Sequence, residues 1–196
     1  DVEYACSFFK GDIIGITGTD GKTTTTSLVY EIFKNVSGKS VFVGGNYGVP
    51  FIEADNKTEI AVLELSSFQL YSTKRFKPKI AVILNISKDH LDWHKKMKHY
   101  ILSKFKIFKN QQEEDYLVLN YDDGCLKQVK AKSQIYYFSL NQLPEDKKGI
   151  YLKSVEGSRE YRLVLQDKEK IEFKVKTLLV GLHNLQNIMA SLLVSY

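Results

Sequence analysis

A chain of 196 residues, 43% hydrophobic and 26% charged, is long enough to bury one good core, so one domain, or one with a small appendage, is the natural count. The formal charge of +5 suits anionic small molecules, but the lysines are scattered among aspartates and glutamates, which argues against the basic, aromatic-studded stripe of a nucleic-acid binder. No apolar run approaches a membrane span, the acidic start Asp1-Val2-Glu3 is no signal peptide, and Cys6 and Cys125, far apart and without metal-ligand spacing, suit packing roles in a reducing cytosol.

In chain order, residues 1–12 read as a short helical lead-in, and the first strand is expected at 13–17. That strand breaks into T-G-T-D-G-K-T-T-T-T, from which a helix runs with Leu28, Val29, Ile32 and Phe33 along one face and an end near Gly38. Short β-rich runs follow at 41–43, 60–65, 80–86 and 116–120, with a helix over about 97–109 between the last two. Apolar runs this continuous mean strands covered on both faces, hence an α/β fold with a mostly parallel sheet flanked by helices. After Ile135 the rhythm alternates through Y-Y-F-S-L, G-I-Y-L-K-S, Y-R-L-V-L and K-I-E-F-K-V, which predicts antiparallel hairpins, a small antiparallel β-sheet appended to the main one. The last segment, G-L-H-N-L-Q-N-I-M-A-S-L-L-V, predicts an amphipathic helix still in rhythm at the end, so the chain reads as cut. Asn184 and Asn187 share one side of it; Asn184 either caps the helix or joins Asn187 in touching a ligand.

The turn after the first strand suits an anion. Backbone N–H groups and the helix dipole converge there, Gly18 and Gly21 permit close approach, Lys22 can reach a terminal phosphate, and the Thr23 hydroxyl can touch a phosphate-bound Mg²⁺. The strict phosphate-loop pattern has glycine where Ile16 stands, so a tight turn without ligand is the alternative. In an open parallel sheet the ligand crevice lies at the carboxyl ends of the strands. Four strands deliver polar residues to that edge: this turn, Gly44-Gly45-Asn46-Tyr47-Gly48, the stretch E-L-S-S-F-Q that begins at Glu64, and Asp89-His90 with Asp92. Glu64 ends so apolar a run that its carboxylate needs a partner, either a metal ion or a lysine. His90 is either a nitrogen ligand or a hydrogen-bonded loop residue. Lys104 falls on the apolar face formed by Met97, Tyr100, Ile101, Phe105 and Phe108, so it either snorkels or carries an amine that is neutralised or modified.

Together these motifs resemble the Mur ligases of peptidoglycan synthesis, through H-N-L-Q-N near the end, and within that family the branch in which S-S-F-Q-L follows the shared glutamate. The resemblance implies a central ATPase domain at 13–196, with 1–12 a linker from an N-terminal domain and the family's N- and C-terminal domains missing. ATP would lie on Thr17, Gly18, Thr19, Asp20, Gly21, Lys22, Thr23 and Thr24, with its adenine near Asn187 and Asn184. Two Mg²⁺ ions are implied, the first on Thr23 and Glu64, the second on Glu64, His90 and Lys104, this lysine carbamylated by CO₂. Asn46, Ser66, Gln69 and His90 would face the substrate, and Lys22, Glu64, His90 and Lys104 would carry the catalysis. The implied reaction joins D-glutamate to UDP-N-acetylmuramoyl-L-alanine through an acyl phosphate, in a cytoplasmic monomer with no nucleic-acid or membrane partner. Asp20 stands where the family more often has Asn, and Tyr47 where it has an aliphatic residue. A related ligase with another amino-acid acceptor, and an ATP-binding module without catalysis, are the other readings.

Overall fold

The computed structural model describes residues 2–196; Asp1, the first residue of the expected lead-in, lies outside them. The elements run α1 (Val2–Cys6), β1 (Asp12–Thr17), α2 (Lys22–Val36), β2 (Val41–Gly45), β3 (Ile60–Glu64), α3 (Ser67–Ser72), β4 (Ile80–Ile83), α4 (Leu91–His94) and α5 (Met97–Phe105). They continue with β5 (Tyr116–Asn120), β6 (Gln134–Ser139), β7 (Gly149–Val155), β8 (Glu160–Gln166), β9 (Lys170–Lys176) and α6 (Leu182–Ser195). All nine strands form one sheet in the order β2-β3-β1-β4-β5-β6-β7-β8-β9.

The apolar strands are covered on both faces, and alternate residues supply the two cores. On one face Ile13, Ala61, Leu63, Ala81, Ile83, Leu117 and Leu119 pack with Phe51, Leu70, Phe76 and Ile107. On the other Ile14, Ile16, Val62, Val82 and Val118 pack with Val29 of α2 and Leu185 and Met189 of α6. The lead-in joins the first core through Val2 and Ala5, and the Glu3 carboxylate fixes it by accepting the N–H groups of Lys74, Arg75 and Phe76 at 3.0, 2.8 and 3.1 Å.

β1 lies between β3 and β4, parallel to both, with Ile16 opposite Glu64 and Thr17 opposite Ile83. The chain passes from β1 to β2 on one side and later crosses back over β1 to β4, so the loop after β1 opens at a switch in strand order.

The structure departs most from the sequence-based expectation at three places. β6 runs parallel to β5 and to β7, so Y-Y-F-S-L belongs to the main sheet and only β7, β8 and β9 are antiparallel, as the continuous end of that sheet. A crossover over the first core, anchored by buried Leu126, returns the chain to the same end of the sheet and sets that direction. The run at 80–86 leaves strand geometry after Ile83, because Asn85 turns to the loop after β1, and α5 ends at Phe105, where Lys106 and Ile107 tighten to bonds with Ser103 and Lys104.

The junction of β6 and β7 depends on Gly149, at φ +151°, where a Cβ would stand 1.7 Å from the Tyr137 carbonyl oxygen. Gly149→Ala should therefore destabilise the fold by about 3 kcal/mol. The check is the urea midpoint, expected to fall with little change of slope; an unmoved midpoint would show that the backbone relaxes freely there.

Candidate active site

The loop between β1 and α2 curls tightly because Gly21 adopts φ +81°, just ahead of Lys22 at the start of the helix. A neighbouring loop holds it in place. Asn85, directly after the apolar run of β4, accepts from the Asp20 N–H at 2.8 Å and donates to the Asp20 carbonyl at 3.1 Å, while its own carbonyl receives the Thr19 N–H at 3.0 Å. The Thr19 hydroxyl accepts from the Ser87 N–H at 3.0 Å and lies 3.0 Å from the Tyr100 hydroxyl. Lys22 Nζ folds over the loop and donates to the carbonyls of Gly18 and Thr19, at 3.1 and 2.8 Å.

Glu64 ends β3 at only 4% exposure. Its carboxylate is held by Thr23 Oγ1 at 2.8 Å and Asn46 Nδ2 at 3.0 Å, so the partners are a hydroxyl and an amide rather than a lysine. Asn46 reaches it because Gly45, at φ +112°, passes against the Glu64 carbonyl with no room for a Cβ, which would lie 2.3 Å away. A buried carboxylate with one hydroxyl beside it fits the habit of Mg²⁺, which takes one or two protein oxygens and completes its shell with phosphates and water.

Lys104 lies on the buried face of α5, at 2% exposure. Nζ donates to the Gly18 carbonyl at 2.7 Å, approaches Thr17 Oγ1 at 3.4 Å and stands 4.8 Å from the centre of the Tyr100 ring. Burial, and then the nearby Lys22, lowers its pKa to about 7. Its amine is thus substantially neutral near neutral pH. It does not snorkel.

His90 occupies a left-handed backbone position (φ 51°), half-exposed, with its ring against Phe68 at 5.0 Å and Nε2 3.2 Å from Asp89. As it stands it is the hydrogen-bonded loop residue, at the rim rather than on Glu64. Among the described residues no cluster of three or more His, Cys, Asp or Glu is preassembled. Lys22, Asn46, Ser66, Ser67, Phe68, His90, Tyr100 and Lys104 nevertheless line one cavity of about 210 Å³ beside the loop.

The remaining expected residues divide. Ser66 lines the cavity but also caps α3, accepting the Gln69 N–H, while Gln69 Oε1 accepts the Ser66 N–H at 3.0 Å. Gln69 is outside the cavity lining, its oxygen committed to that reciprocal cap. Asn187 is 5% exposed and its Oδ1 presses on Gly21, where a Cβ would be 2.4 Å away; its Nδ2 points to Asn184 Oδ1 at 3.4 Å. Asn184 is not the cap of α6, because Gly181 holds that position and Asn184 donates back to the Val180 carbonyl. Asn85, Ser67 and His94 were not singled out from the sequence; only Asn85 had a visible signal, a polar residue ending an apolar run.

Set beside known proteins, residues 16–195 match the Mur ligase middle domain. The chain belongs to the Mur ligase family. It is 46% identical over 201 residues to the UDP-N-acetylmuramoylalanine--D-glutamate ligase of Thermoanaerobacter sp. (strain X514), which covers all of this chain and 43% of that protein. The ligase of that name from Clostridioides difficile (strain 630) is 43% identical, again over 100% of this chain and 43% of its own length. This Mur ligase chain thus spans less than half the length of those relatives. Among solved structures, MurF ligase from Thermotoga maritima in complex with ADP superposes with a TM-score of 0.74 at 28% identity, covering 98% of this chain and 47% of that one. Among the described residues no helix is long and apolar enough to cross a membrane.

Lys104 carries a consequence for stability. Its folded pKa, about 7, lies below the ordinary 10.5, so between those values the unfolded chain binds the extra proton and stability rises with pH; below about 7 the whole cost of the buried ammonium is present. In CO₂-free buffer Lys104→Met should be more stable than the parent by about 1 kcal/mol or more at about pH 6, with the advantage shrinking by about pH 9.5. Chemical denaturation at the two pH values checks this, and an advantage independent of pH would count against a shifted amine.

Proposed function

We propose that the chain is the central ATP-binding domain of an ADP-forming ligase that joins D-glutamate to UDP-N-acetylmuramoyl-L-alanine. In this reading residues 1–12 are the linker from an N-terminal domain, residues 13–196 are the ATPase domain, and a C-terminal domain brings the amino acid. The enzyme is a cytoplasmic monomer acting on small molecules. The observation that carries the reading is the single cavity uniting Lys22, Asn46, Ser66, His90 and Lys104 in a chain 46% identical from end to end to ligases of that name.

The chemistry brings two anions together, a carboxylate and a triphosphate. Loop N–H groups from Gly18 to Thr24 and the Lys22 ammonium take the β- and γ-phosphates, Lys22 exchanging its bonds to the Gly18 and Thr19 carbonyls for phosphate oxygens. The alanyl carboxylate attacks the γ-phosphorus, the bond to ADP breaks, and the amine of D-glutamate then displaces phosphate from the acyl carbon, losing a proton. Asn46, Ser66 and His90 orient the carboxylate, Gln69 supports the turn that carries Ser66, and Asn187 with Asn184 meets the adenine.

Thr23 and Glu64 would hold one Mg²⁺; Glu64, His90 and a modified Lys104 would hold the second. Bound there, the ions supply positive charge against the repulsion of the two anions. Lys104 as it stands offers nitrogen, which suits Mg²⁺ poorly. Its neutral amine can attack CO₂, forming an N–C bond as one C=O π bond opens and releasing a proton, which replaces a buried amine by a carbamate with carboxylate-type oxygens.

In the full-length ligase Lys22→Ala should lower ADP release by at least about 100-fold, with an unchanged thermal midpoint. Near-normal ligation by that variant would refute the role assigned to Lys22. The same assay across a panel of amino acids decides the acceptor: turnover with D-glutamate alone is expected, and a preference for another amino acid would favour a sister ligase.

A further inference from the structure

Beside the cavity stands a histidine that the reading above does not use. His94, at the end of α4, is 3% exposed; its ring lies flat on Phe68, with centroids 5.6 Å apart and planes 16° apart, and meets the edge of Tyr100 at 5.2 Å. Nε2 is 2.9 Å from Ser67 Oγ, whereas Nδ1 is buried without a hydrogen-bond partner among the described residues. Burial, and then the charges of His90, Lys104 and His99, lowers the pKa of the ring and so favours the neutral form, which carries a single N–H.

The two positions for that proton are unequal. On Nδ1 it would be a buried donor with nothing to bind, a rare and costly arrangement. On Nε2 it is bound by Ser67 Oγ, and only a lone pair goes unmet. Ser67 then accepts from His94, so its own hydroxyl proton is free to point elsewhere. Ser67 is 2% exposed and lines the cavity with Lys22, Asn46, His90 and Lys104. The opposite tautomer would use up the hydroxyl proton on the ring and turn only lone pairs toward an incoming anion.

We infer that His94, as the Nε2–H tautomer, turns the Ser67 hydroxyl into the cavity, making Ser67 a hydrogen-bond donor to the carboxylate of the acyl substrate. Ser67 would touch the substrate directly; His94 is a positioning residue. The inference rests on reading the cavity as the seat of the carboxylate that is phosphorylated. It adds to the lysine and amide groups a donor whose direction is set by a partner 27 residues away in the chain.

Two measurements test it. Long-range ¹⁵N–¹H spectra of this chain should show His94 with a protonated Nε2 and a bare Nδ1; the reverse pattern would overturn the inference. In the full-length ligase Ser67→Ala should lower kcat by about 10- to 100-fold with the KM for ATP within about twofold, the loss of one hydrogen bond to a charged group. His94→Phe keeps the stack on Phe68 and should fall as far, His94→Gln should retain most of the activity because its amide nitrogen replaces Nε2, and the Ser67→Ala, His94→Phe double variant should be no worse than Ser67→Ala. A fully active Ser67→Ala or His94→Phe would overturn the assignment. So would recovery of Ser67→Ala at raised CO₂, which would put the hydroxyl on a Lys104 carbamate instead. If the unmodified ligase releases no ADP with UDP-N-acetylmuramoyl-L-alanine, the functional reading itself fails, and the spectra still decide the tautomer.

Discussion

Two ionisable side chains of opposite kind, the carboxyl of Glu64 at the end of β3 and the amine of Lys104 on α5, are buried close to the loop after β1, and each is held by polar groups instead of by the other. Such an arrangement is poor for stability, since apolar residues of similar size would commonly do better. It persists where the surroundings over-determine it. The parallel register puts Glu64 beside Ile16 and Gly45, the first turn of α2 supplies Thr23, and the Gly18 carbonyl receives Lys104. Groups of this kind, desolvated and gathered at the carboxyl ends of parallel strands, are where function is concentrated.

The Gly18 carbonyl accepts from both Lys22 and Lys104. A phosphate that draws Lys22 away relieves that shared acceptor, and a change of charge on Lys104 alters the field that Lys22 feels. In the proposed reading, nucleotide and the state of Lys104 would therefore be electrostatically coupled. Asn85, Ser87 and Tyr100 brace the loop from the other side, so in the proposed reading its backbone N–H groups would be arranged before a phosphate arrives, which is the economical way to bind a charge.

Much of the fold was legible because the strands of the main sheet are apolar on both faces and the helices between them on one; I-A-V-L and I-A-V-I-L are buried against both cores. The burial of Lys104 could be found by counting helical positions, and the tight turn after β1 by its glycines. The direction of β6 could not, because alternation in Y-Y-F-S-L says nothing about whether a crossover or a hairpin precedes it. Ser66 and Gln69 were expected to face substrate, and in the structure the reciprocal cap of α3 takes the Gln69 oxygen. Ser67 and His94 gave no periodic signal; His94 sits in a lysine-rich stretch and becomes buried only when α4 folds under Phe68.

The central claim is that Glu64 and Thr23 mark the place where a divalent ion meets the phosphates gathered by the loop. Amide spectra of this chain with a non-hydrolysable ATP analogue and Mn²⁺ in place of Mg²⁺ test it directly, because the paramagnetic ion broadens its neighbours. The account predicts the strongest broadening at Gly21, Lys22, Thr23 and Glu64, abolished by Glu64→Gln. Broadening centred elsewhere on the chain, with the loop after β1 untouched, would contradict it.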